Sequence, residues 1–291
     1  MPVRIIPRLD IKGPNLVKGI HLEGLRVLGK PEDFARYYYE AGADELIYMD
    51  VVASLYGRNS LEEIITRTAK EIFSPLTVGG GLRTIDDIKN VLRAGADKVA
   101  INTAAIKNPA MIREASMKFG SSTIVVAIEA IRQADGSYMA YTDNGRDHTG
   151  VEVLGWAKKA EELGAGEIML TSVDRDGTGL GFDVELTKMV SREVSIPVIA
   201  HGGAGELEHI YKAIDEGGAD AVAISSILHY GLIAHHKNLV GYDAEGNIEF
   251  LKSGKGNSRI KSAGLDEIKR YIFSKGVECR HPIGTGVADG E

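Results

Sequence analysis

The chain repeats itself once, and this repeat constrains the fold more than any other feature of the sequence. Four short segments of the first half recur in the same order in the second half, at an offset that stays between 119 and 123 residues. The matching points are Asp10 and Glu129, Glu45 and Glu167, Gly80 and Gly202, and Asn102 and Ser225. A repeat of this kind indicates two copies of one structural unit.

The repeated segments are short apolar runs rich in Val and Ile, such as GADKVAINTAA at 95–105 and GADAVAISSI at 218–227. Such runs are typical of strands that are buried on both faces of a parallel sheet. Stretches of helical period lie between them, at residues 31–41, 61–72, 84–94, 109–119, 153–163 and 207–216. Eight strand–helix units predict an α/β fold, the (β/α)8 TIM barrel, built from two half-barrels at about 1–120 and 121–230.

The 291 residues and the 44% hydrophobic content are compatible with two domains or with one large barrel. A doubly wound open sheet is a structural alternative, but it gives no reason for the second half to copy the first. We therefore predict a single barrel domain over residues 1–291. Its surplus length is expected in an insertion at 231–262 with a hairpin that turns at Glu245–Gly246, a last helix at about 263–275 and a flexible tail at 281–291.

Composition excludes several classes of partner. The 34 basic and 41 acidic residues give a formal net charge of −7, which disfavours nucleic acid or an anionic membrane as the main ligand. Cys279 is the only cysteine, so neither an intramolecular disulfide nor a cysteine zinc cluster can form, as is usual in a reducing cytosol. The sequence shows no signal peptide, and no apolar run reaches the roughly 20 residues of a membrane span. We expect a soluble, cytoplasmic protein.

Two carboxylates close equivalent strands of the two half-barrels. The active site of this fold lies at the C-terminal ends of the strands, and strands one and five face each other across the barrel mouth. Asp10 and Glu129 would therefore flank a bound molecule. Unequal environments can keep one carboxyl protonated and the other ionised, which suits general acid–base catalysis. The alternative is that one of them only caps a helix or pairs with a lysine.

Glycine turns after strands three and seven form a second matched pair. Glycine lets backbone N–H groups approach a phosphate closely, and a helix N-terminus next to it favours the anion. A polar pair follows on the next strand in each half. The candidate phosphate residues are Gly80, Gly81, Asn102 and Thr103 on one side, and Gly202, Gly203, Ser225 and Ser226 on the other. They predict a ligand with a phosphate at each end.

Two loops supply further candidates. The stretch 13–30 contains Lys18 and four glycines, and two interpretations stay open for it: a lid that brings an ammonium group to a phosphate or oxyanion, or a solvated loop. After strand six, Thr171, Asp176 and Gly177 are expected at the mouth, with Asp176 as a ligand for a substrate hydroxyl.

Several histidines lie near the predicted mouth. His201 stands beside the second glycine turn, and its role stays open. His229, His235 and His236 follow strand eight without a neighbouring carboxylate pattern. We interpret these three as loop histidines and predict no metal site.

The chain resembles the cyclase subunits of imidazole glycerol phosphate synthase and, at greater distance, the histidine-pathway isomerase that shares the duplicated barrel. The resemblance runs from about residue 4 to 230 and over the last helix. It rests on the strings LDIKG, VKG, DELIYMD, TVGGG, GADKVAINTAA, LTSVDRDGT and GGAG. The string LVKGIHLEGLRVLGKP is similar to the cyclase rather than to the isomerase.

The resemblance implies a substrate with two phosphates, the ribulosyl-aminoimidazole-carboxamide ribonucleotide, and no cofactor. Ammonia from a partner glutaminase, docked on the N-terminal face, would pass along the barrel axis and convert this substrate to imidazole glycerol phosphate and aminoimidazole carboxamide ribotide. Asp10 matches the first catalytic aspartate and Lys18 the lid lysine. The two sets of candidate phosphate residues match the two phosphate sites of the family.

The resemblance also implies a charged ring that gates ammonia at the N-terminal face, formed by Arg4, Glu45, Lys98 and Glu167. Glu45 and Glu167 are repeat equivalents, and charged residues at the starts of apolar strands need partners. A ring with a purely structural role is the alternative.

The sequence departs from the family in three places. Glu129 replaces the second catalytic aspartate, and a displacement of about 1 Å can cost on the order of a hundredfold in rate. His201 stands where a small residue is usual, and the segment 231–262 is inserted. These departures keep an alternative open: a paralogue that activates a glutaminase and conducts its ammonia to an amidotransferase for a surface sugar. The isomerase would need neither a partner nor the ring.

Overall fold

Eight parallel strands close into a barrel in the computed structural model, which describes residues 2–53, 61–235 and 258–280. The strands of these residues are β1 (Arg4–Lys12), β2 (Asn15–Ile20), β3 (Glu23–Gly29), β4 (Leu46–Asp50), β5 (Leu76–Gly79), β6 (Lys98–Ile101), β7 (Ile124–Arg132), β8 (Tyr138–Thr142), β9 (Asp147–Glu152), β10 (Glu167–Ser172), β11 (Val198–His201) and β12 (Ala221–Ile224). Around the barrel the order is β1, β4, β5, β6, β7, β10, β11 and β12, and β12 pairs with β1. The predicted (β/α)8 barrel is confirmed.

Helices connect the barrel strands on the outside. They are α1 (Pro31–Glu40), α2 (Glu62–Thr68), α3 (Ile85–Ala94), α4 (Thr103–Lys107), α5 (Ala110–Phe119), α6 (Val153–Glu162), α7 (Val184–Ser191), α8 (Leu207–Asp215), α9 (Ser226–His235) and α10 (Leu265–Ser274). The six helical segments read from the sequence are present, although α2 ends four residues early. At the start of α3, Thr84 and Asp87 each accept a hydrogen bond from the other's backbone N–H, which fixes the first turn.

The predicted loop at 13–30 is wrong, because this stretch forms the β-hairpin of β2 and β3. Its turn is His21-Leu22, and both residues have positive φ (53° and 61°), as a two-residue hairpin turn requires. Histidine and leucine are unusual at positive φ, so the turn carries little signal at the level of sequence. A second hairpin, β8 and β9, follows β7 at the equivalent place in the other half-barrel.

The first residues of the predicted insertion, 231–235, belong to helix α9, and the bounds of the insertion stay a prediction. Helix α9 continues to His235 because Ile227, Leu228 and Leu232 stay buried along one face. The hairpin expected at Glu245–Gly246 and the tail at 281–291 lie outside the described residues. Helix α10 lies where the last helix is expected. No described helix combines the length and the apolar content that a membrane crossing would need.

The barrel interior consists of an apolar layer between two polar layers. Side chains of β1 alternate between the barrel interior and the helices. Ile6 points inward and belongs to the apolar layer, whereas the odd-numbered residues Ile5 and Leu9 face the helices. The other members of the apolar layer are Ile47, Ala100, Val125, Ala127, Met169, Ile199, Ala221 and Ala223. Two residues before Ile6 the strand carries Arg4, and two residues after it Arg8, so β1 places a cation on each side of this layer.

Candidate active site

A closed ring of four charges lies at the N-terminal end of the barrel. Arg4 Nη1 contacts Glu45 Oε1 at 2.7 Å and Glu167 Oε1 at 3.1 Å. Lys98 Nζ contacts Glu45 Oε2 at 3.1 Å and Glu167 Oε1 at 2.8 Å. Each cation therefore bridges both carboxylates. The structure brings together all four residues of the predicted ring.

At the opposite end, both oxygens of Asp10 are engaged in ion pairs. Arg8 Nε donates to Oδ1 at 2.9 Å, and Lys18 Nζ donates to Oδ2 at 3.4 Å. All three side chains are buried. Burial alone would raise the pKa of Asp10, but the attraction of Arg8 and Lys18 outweighs it and holds this pKa below its ordinary value. Asp10 is therefore a carboxylate at neutral pH.

Lys18 joins the hairpin of β2 and β3 to the loop after β10. Its Nζ contacts the two oxygens of Asp176 at 2.9 and 3.0 Å. The backbone N–H of His21 donates to the Asp176 carbonyl at 2.9 Å, and Gly177 lets the hairpin approach, because a Cβ there would lie 2.5 Å from the Gly19 oxygen. These contacts hold the hairpin against the barrel mouth. Because Lys18 is buried and paired, the interpretation of this stretch as a solvated loop is wrong for Lys18.

Glu129 faces the mouth from β7 in a different environment. The N–H of Gly145, in the turn between β8 and β9, donates to its Oε2 at 2.8 Å. The Glu129 side chain is half-buried. Burial raises the pKa of Glu129 to about 7, against the smaller opposing effects of the Gly145 N–H, the Arg8 charge and the Asn102 amide. Equivalent carboxylates of the two half-barrels therefore differ in protonation near neutral pH.

The glycine turns have the backbone geometry of anion-binding turns. Gly80, Gly81, Gly202 and Gly203 all have positive φ, between 72° and 108°. At three of them a side chain would collide with backbone: a Cβ would lie 2.2 Å from the Asp50 oxygen at Gly80, 2.7 Å from the Ser172 oxygen at Gly202 and 2.1 Å from the Gly181 oxygen at Gly203. Positive φ in consecutive residues turns successive N–H groups toward one side, which favours an anion.

The polar pairs after β6 and β12 are Asn102-Thr103 and Ser225-Ser226, and their side chains differ in their hydrogen-bond partners. Ser226 begins α9, and its buried hydroxyl makes no hydrogen bond to the part of the protein that the structure describes. The Ser225 hydroxyl instead donates to the Arg8 carbonyl at 2.7 Å. Asn102 donates to the Tyr141 carbonyl at 3.2 Å, and Thr103 begins α4. The side-chain oxygen of Asn102 likewise makes no hydrogen bond to the described residues, so each half-barrel keeps one buried polar atom available to a ligand, Asn102 Oδ1 and Ser226 Oγ.

One of the histidines predicted to lie in a loop near the mouth lies in a helix instead. His229 is not a loop histidine: it is buried in α9, bound to the Tyr38 hydroxyl at 2.7 Å and to the Arg8 carbonyl at 3.1 Å. The side chains of His235 and His236 lie outside the described residues. Across those residues, no three His, Cys, Asp or Glu side chains are grouped as metal ligands would be.

Known proteins with the same sequence pattern match most of this chain. The family model described as histidine biosynthesis protein matches residues 4–234. The imidazole glycerol phosphate synthase subunit HisF of Legionella pneumophila is 62% identical over 206 residues, which cover 71% of this chain and 97% of that protein. The subunit of the same name from Trichormus variabilis is 47% identical over 234 residues, covering 79% and 91%. The chain belongs to the histidine biosynthesis protein family.

The residue of this family member that sequence reasoning missed is Arg8. It is buried and contacts Asp10, the Thr171 hydroxyl at 3.3 Å and His201 Nδ1 at 3.0 Å. A signal was available, because Arg8 and Asp10 are two residues apart on one strand and therefore point to the same side. Thr171 and Asp176 lie at the mouth as predicted, but both are bound to cations of the protein, Arg8 and Lys18.

The raised pKa of Glu129 predicts a dependence of stability on pH. In the folded protein Glu129 keeps its proton up to about pH 7, whereas in the unfolded chain it loses the proton near its ordinary pKa of 4.5. The free energy of unfolding of the wild type should therefore fall across this interval, by up to about 1.4 kcal/mol per pH unit. Glu129→Gln cannot ionise and should gain stability relative to the wild type as the pH rises through the same interval.

Urea unfolding of both proteins at about pH 5 and about pH 7 measures this difference. The exposed Glu114→Gln serves as the control and should show no such gain. A stability difference between Glu129→Gln and the wild type that is the same at both pH values would contradict the assignment of a protonated Glu129.

Proposed function

We propose that this protein is the cyclase subunit of an imidazole glycerol phosphate synthase. It would use ammonia released by a glutaminase to convert the bisphosphorylated ribulosyl-aminoimidazole-carboxamide ribonucleotide to imidazole glycerol phosphate and aminoimidazole carboxamide ribotide. This is a lyase and cyclase reaction of histidine biosynthesis. The names of the relatives from Legionella pneumophila and Trichormus variabilis support it.

One observation of the structure carries the proposal: an ionised and a protonatable carboxyl face each other across a mouth that has a glycine turn on either side. Asp10 lies in ion pairs on β1, and Glu129 has a pKa of about 7 on β7. The turns at 80–81 and 202–203 are separated by the same half-barrel repeat. A molecule with a phosphate at each end would place its centre between the two carboxyl groups.

The chain's own residues account for binding and proton transfer in this proposal. Ser226 and the turn N–H groups would hold the two phosphates, and the hairpin would exclude water from the centre. Lys18, now bound to Asp176, would exchange one anionic partner for another when a phosphate arrives. Asp10 and Glu129 would form the catalytic pair, Asp10 as the anion and Glu129 as the proton donor, with a longer reach from β7 than an aspartate would have.

Turnover with ammonium salts tests the proposal, because it needs no glutaminase. The wild type should consume the ribulosyl substrate when ammonium is supplied at about pH 8. Asp10→Asn should lower the rate by about a hundredfold or more, since it removes the anion, and Glu129→Gln should lower it substantially, because general acid–base catalysis contributes about 10²–10⁴-fold. The surface variant Glu114→Gln is the control. A folded wild type without turnover would contradict the proposal.

A second function is favoured by one specific observation, the occupation of Asp10 by both Arg8 and Lys18. If Lys18 keeps its contacts to Asp10 and Asp176 when substrate is present, it cannot turn to a phosphate, and the barrel conducts ammonia and activates a glutaminase without cyclising anything itself. The ammonia acceptor would then be another protein, such as an amidotransferase for a surface sugar. A protein that stimulates a glutaminase and yet shows no turnover of the ribulosyl substrate would establish this second function.

We further propose that the glutaminase partner docks on the N-terminal face, around the charged ring. Phe73 supports this surface, because it lies in the segment between α2 and β5, at the N-terminal end of the barrel, and is 83% exposed. Phe273 at the end of α10 is also half exposed. Exposed aromatic side chains beside a charged centre are typical of protein interfaces. The ring would then open to admit ammonia.

The cytoplasmic location stays a prediction.

Substitution of Phe73 tests the docking face. Phe73→Glu should weaken binding of a synthase glutaminase subunit at least about tenfold, because it places a charge in a desolvated contact. Leu180→Glu is the matched control: Leu180 is an exposed apolar residue in the segment that follows β10, at the opposite end of the barrel. Calorimetric titration measures both. Equal weakening by the two variants, or none by Phe73→Glu, would contradict the proposed face.

A further inference from the structure

Arg8 occupies an unusual position for a cation. It lies inside the barrel, 3% exposed, on the same face of β1 as Ile6 and Asp10. On the neighbouring strand β12 the small residue Ala223 lies opposite Ile6, the inward position next to Arg8 on β1. Burying a guanidinium is costly unless its charge is paired and its N–H groups are bound. The surroundings of Arg8 meet both conditions.

The side chain of Arg8 is fixed by three different strands. Its Nε donates to Asp10 on β1, and its Nη1 donates to Thr171 on β10 and to His201 on β11. Because arginine can only donate, His201 Nδ1 must accept, and the His201 proton therefore sits on Nε2. Burial, together with the charges of Arg8 and Lys18, holds the pKa of His201 well below its ordinary value, so the ring is neutral. His201 thus acts as an acceptor that orients Arg8.

The backbone of Arg8 is fixed as well. Its carbonyl accepts hydrogen bonds from the Ser225 hydroxyl at 2.7 Å and from His229 Nε2 at 3.1 Å. Tyr38 binds the other nitrogen of His229 at 2.7 Å. Residues that surround the mouth therefore hold both ends of Arg8. Such a rigid donor can set the direction and the ionisation of the carboxylate that it binds.

We propose that Arg8 is a positioning residue which keeps Asp10 a carboxylate throughout the reaction, so that Glu129 is the side chain that carries the proton. The proposal rests on the cyclase function and deepens it. The ammonia nitrogen forms one C–N bond to the ribulosyl carbonyl carbon, whose oxygen leaves as water, and a second C–N bond to the amidine carbon, whose bond to the amine of aminoimidazole carboxamide ribotide breaks. Glu129 gives its proton to each departing group and takes one back from the ammonia nitrogen, so the proton count of the site is restored. Asp10 accepts hydrogen bonds without taking a proton.

Titration of Asp10 tests the proposal without any need for activity. Carbon-13 NMR of protein labelled at the aspartate carboxyl carbons follows each ionisation, and Asp10→Asn identifies the Asp10 signal. In the wild type Asp10 should titrate below the ordinary aspartate range. In Arg8→Met, which keeps the length but removes the charge, its pKa should rise by about one unit or more, and Arg8→Lys should restore part of the shift. The exposed Arg93→Met is the matched control and should change nothing.

The pH profile of turnover separates positioning from a merely structural role. At constant free ammonia, the wild type should lose activity as the pH rises through the ionisation of Glu129 near 7. Arg8→Met should add a second loss on the acid side, where Asp10 now takes a proton, and Arg8→Lys should move this loss back toward lower pH. A structural defect alone would lower the rate equally at every pH.

Two results would overturn the proposal: an Asp10 that titrates in the ordinary range in the wild type, or one that titrates identically in wild type, folded Arg8→Met and Arg8→Lys. The wild-type measurement decides even if Arg8→Met fails to fold. Failure of the cyclase function is a separate outcome. It would show as a wild type without turnover whose Asp10 nevertheless titrates low and responds to Arg8.

Discussion

The structure depends on one constraint: charges placed inside a barrel must find partners inside it. Arg8 and Lys18 at the mouth carry two positive charges, and Asp10 and Asp176 carry two negative charges. The charges of these four side chains cancel in the buried mouth, and three ion pairs join them, which is the condition under which burial of ions is tolerated. The ring of Arg4, Glu45, Lys98 and Glu167 obeys the same rule at the other end, and the apolar layer separates the two.

The repeat explains the barrel fold. The two hairpins that follow its equivalent strands differ, and this difference makes the two carboxyl groups chemically different. Asp10 and Glu129 end equivalent strands, and each strand continues into a hairpin. The first hairpin brings the Lys18 ammonium to Asp10, whereas the second brings only the Gly145 N–H to Glu129. A full cation stabilises a carboxylate far more than one backbone N–H does. Two copies of one unit therefore present carboxyl groups with opposite tendencies to hold a proton.

Sequence patterns predicted the features that depend on a residue's position along a strand. They did not predict contacts between side chains that are distant in the sequence. Strand ends and glycine turns follow from the repeat, whereas the charged ring was implied by the family resemblance and supported by the repeat only for Glu45 and Glu167. The bond between Arg8 and His201 joins strands that are 193 residues apart, so no local pattern shows it. The first hairpin was missed because its turn residues, His21 and Leu22, lack the Gly or Asn that usually marks positive φ.

The mouth holds one fixed carboxylate, Asp10, which Arg8 and Lys18 keep ionised, and one proton carrier, Glu129, whose pKa burial raises. Neutron diffraction from deuterated crystals at about pH 6 would test it most directly, because this method locates the exchangeable deuterons. The account predicts no deuteron on either oxygen of Asp10, a deuteron on Glu129, and a His201 ring deuterated at Nε2 but not at Nδ1. A deuteron on Asp10, or an ionised Glu129 at that pH, would contradict it.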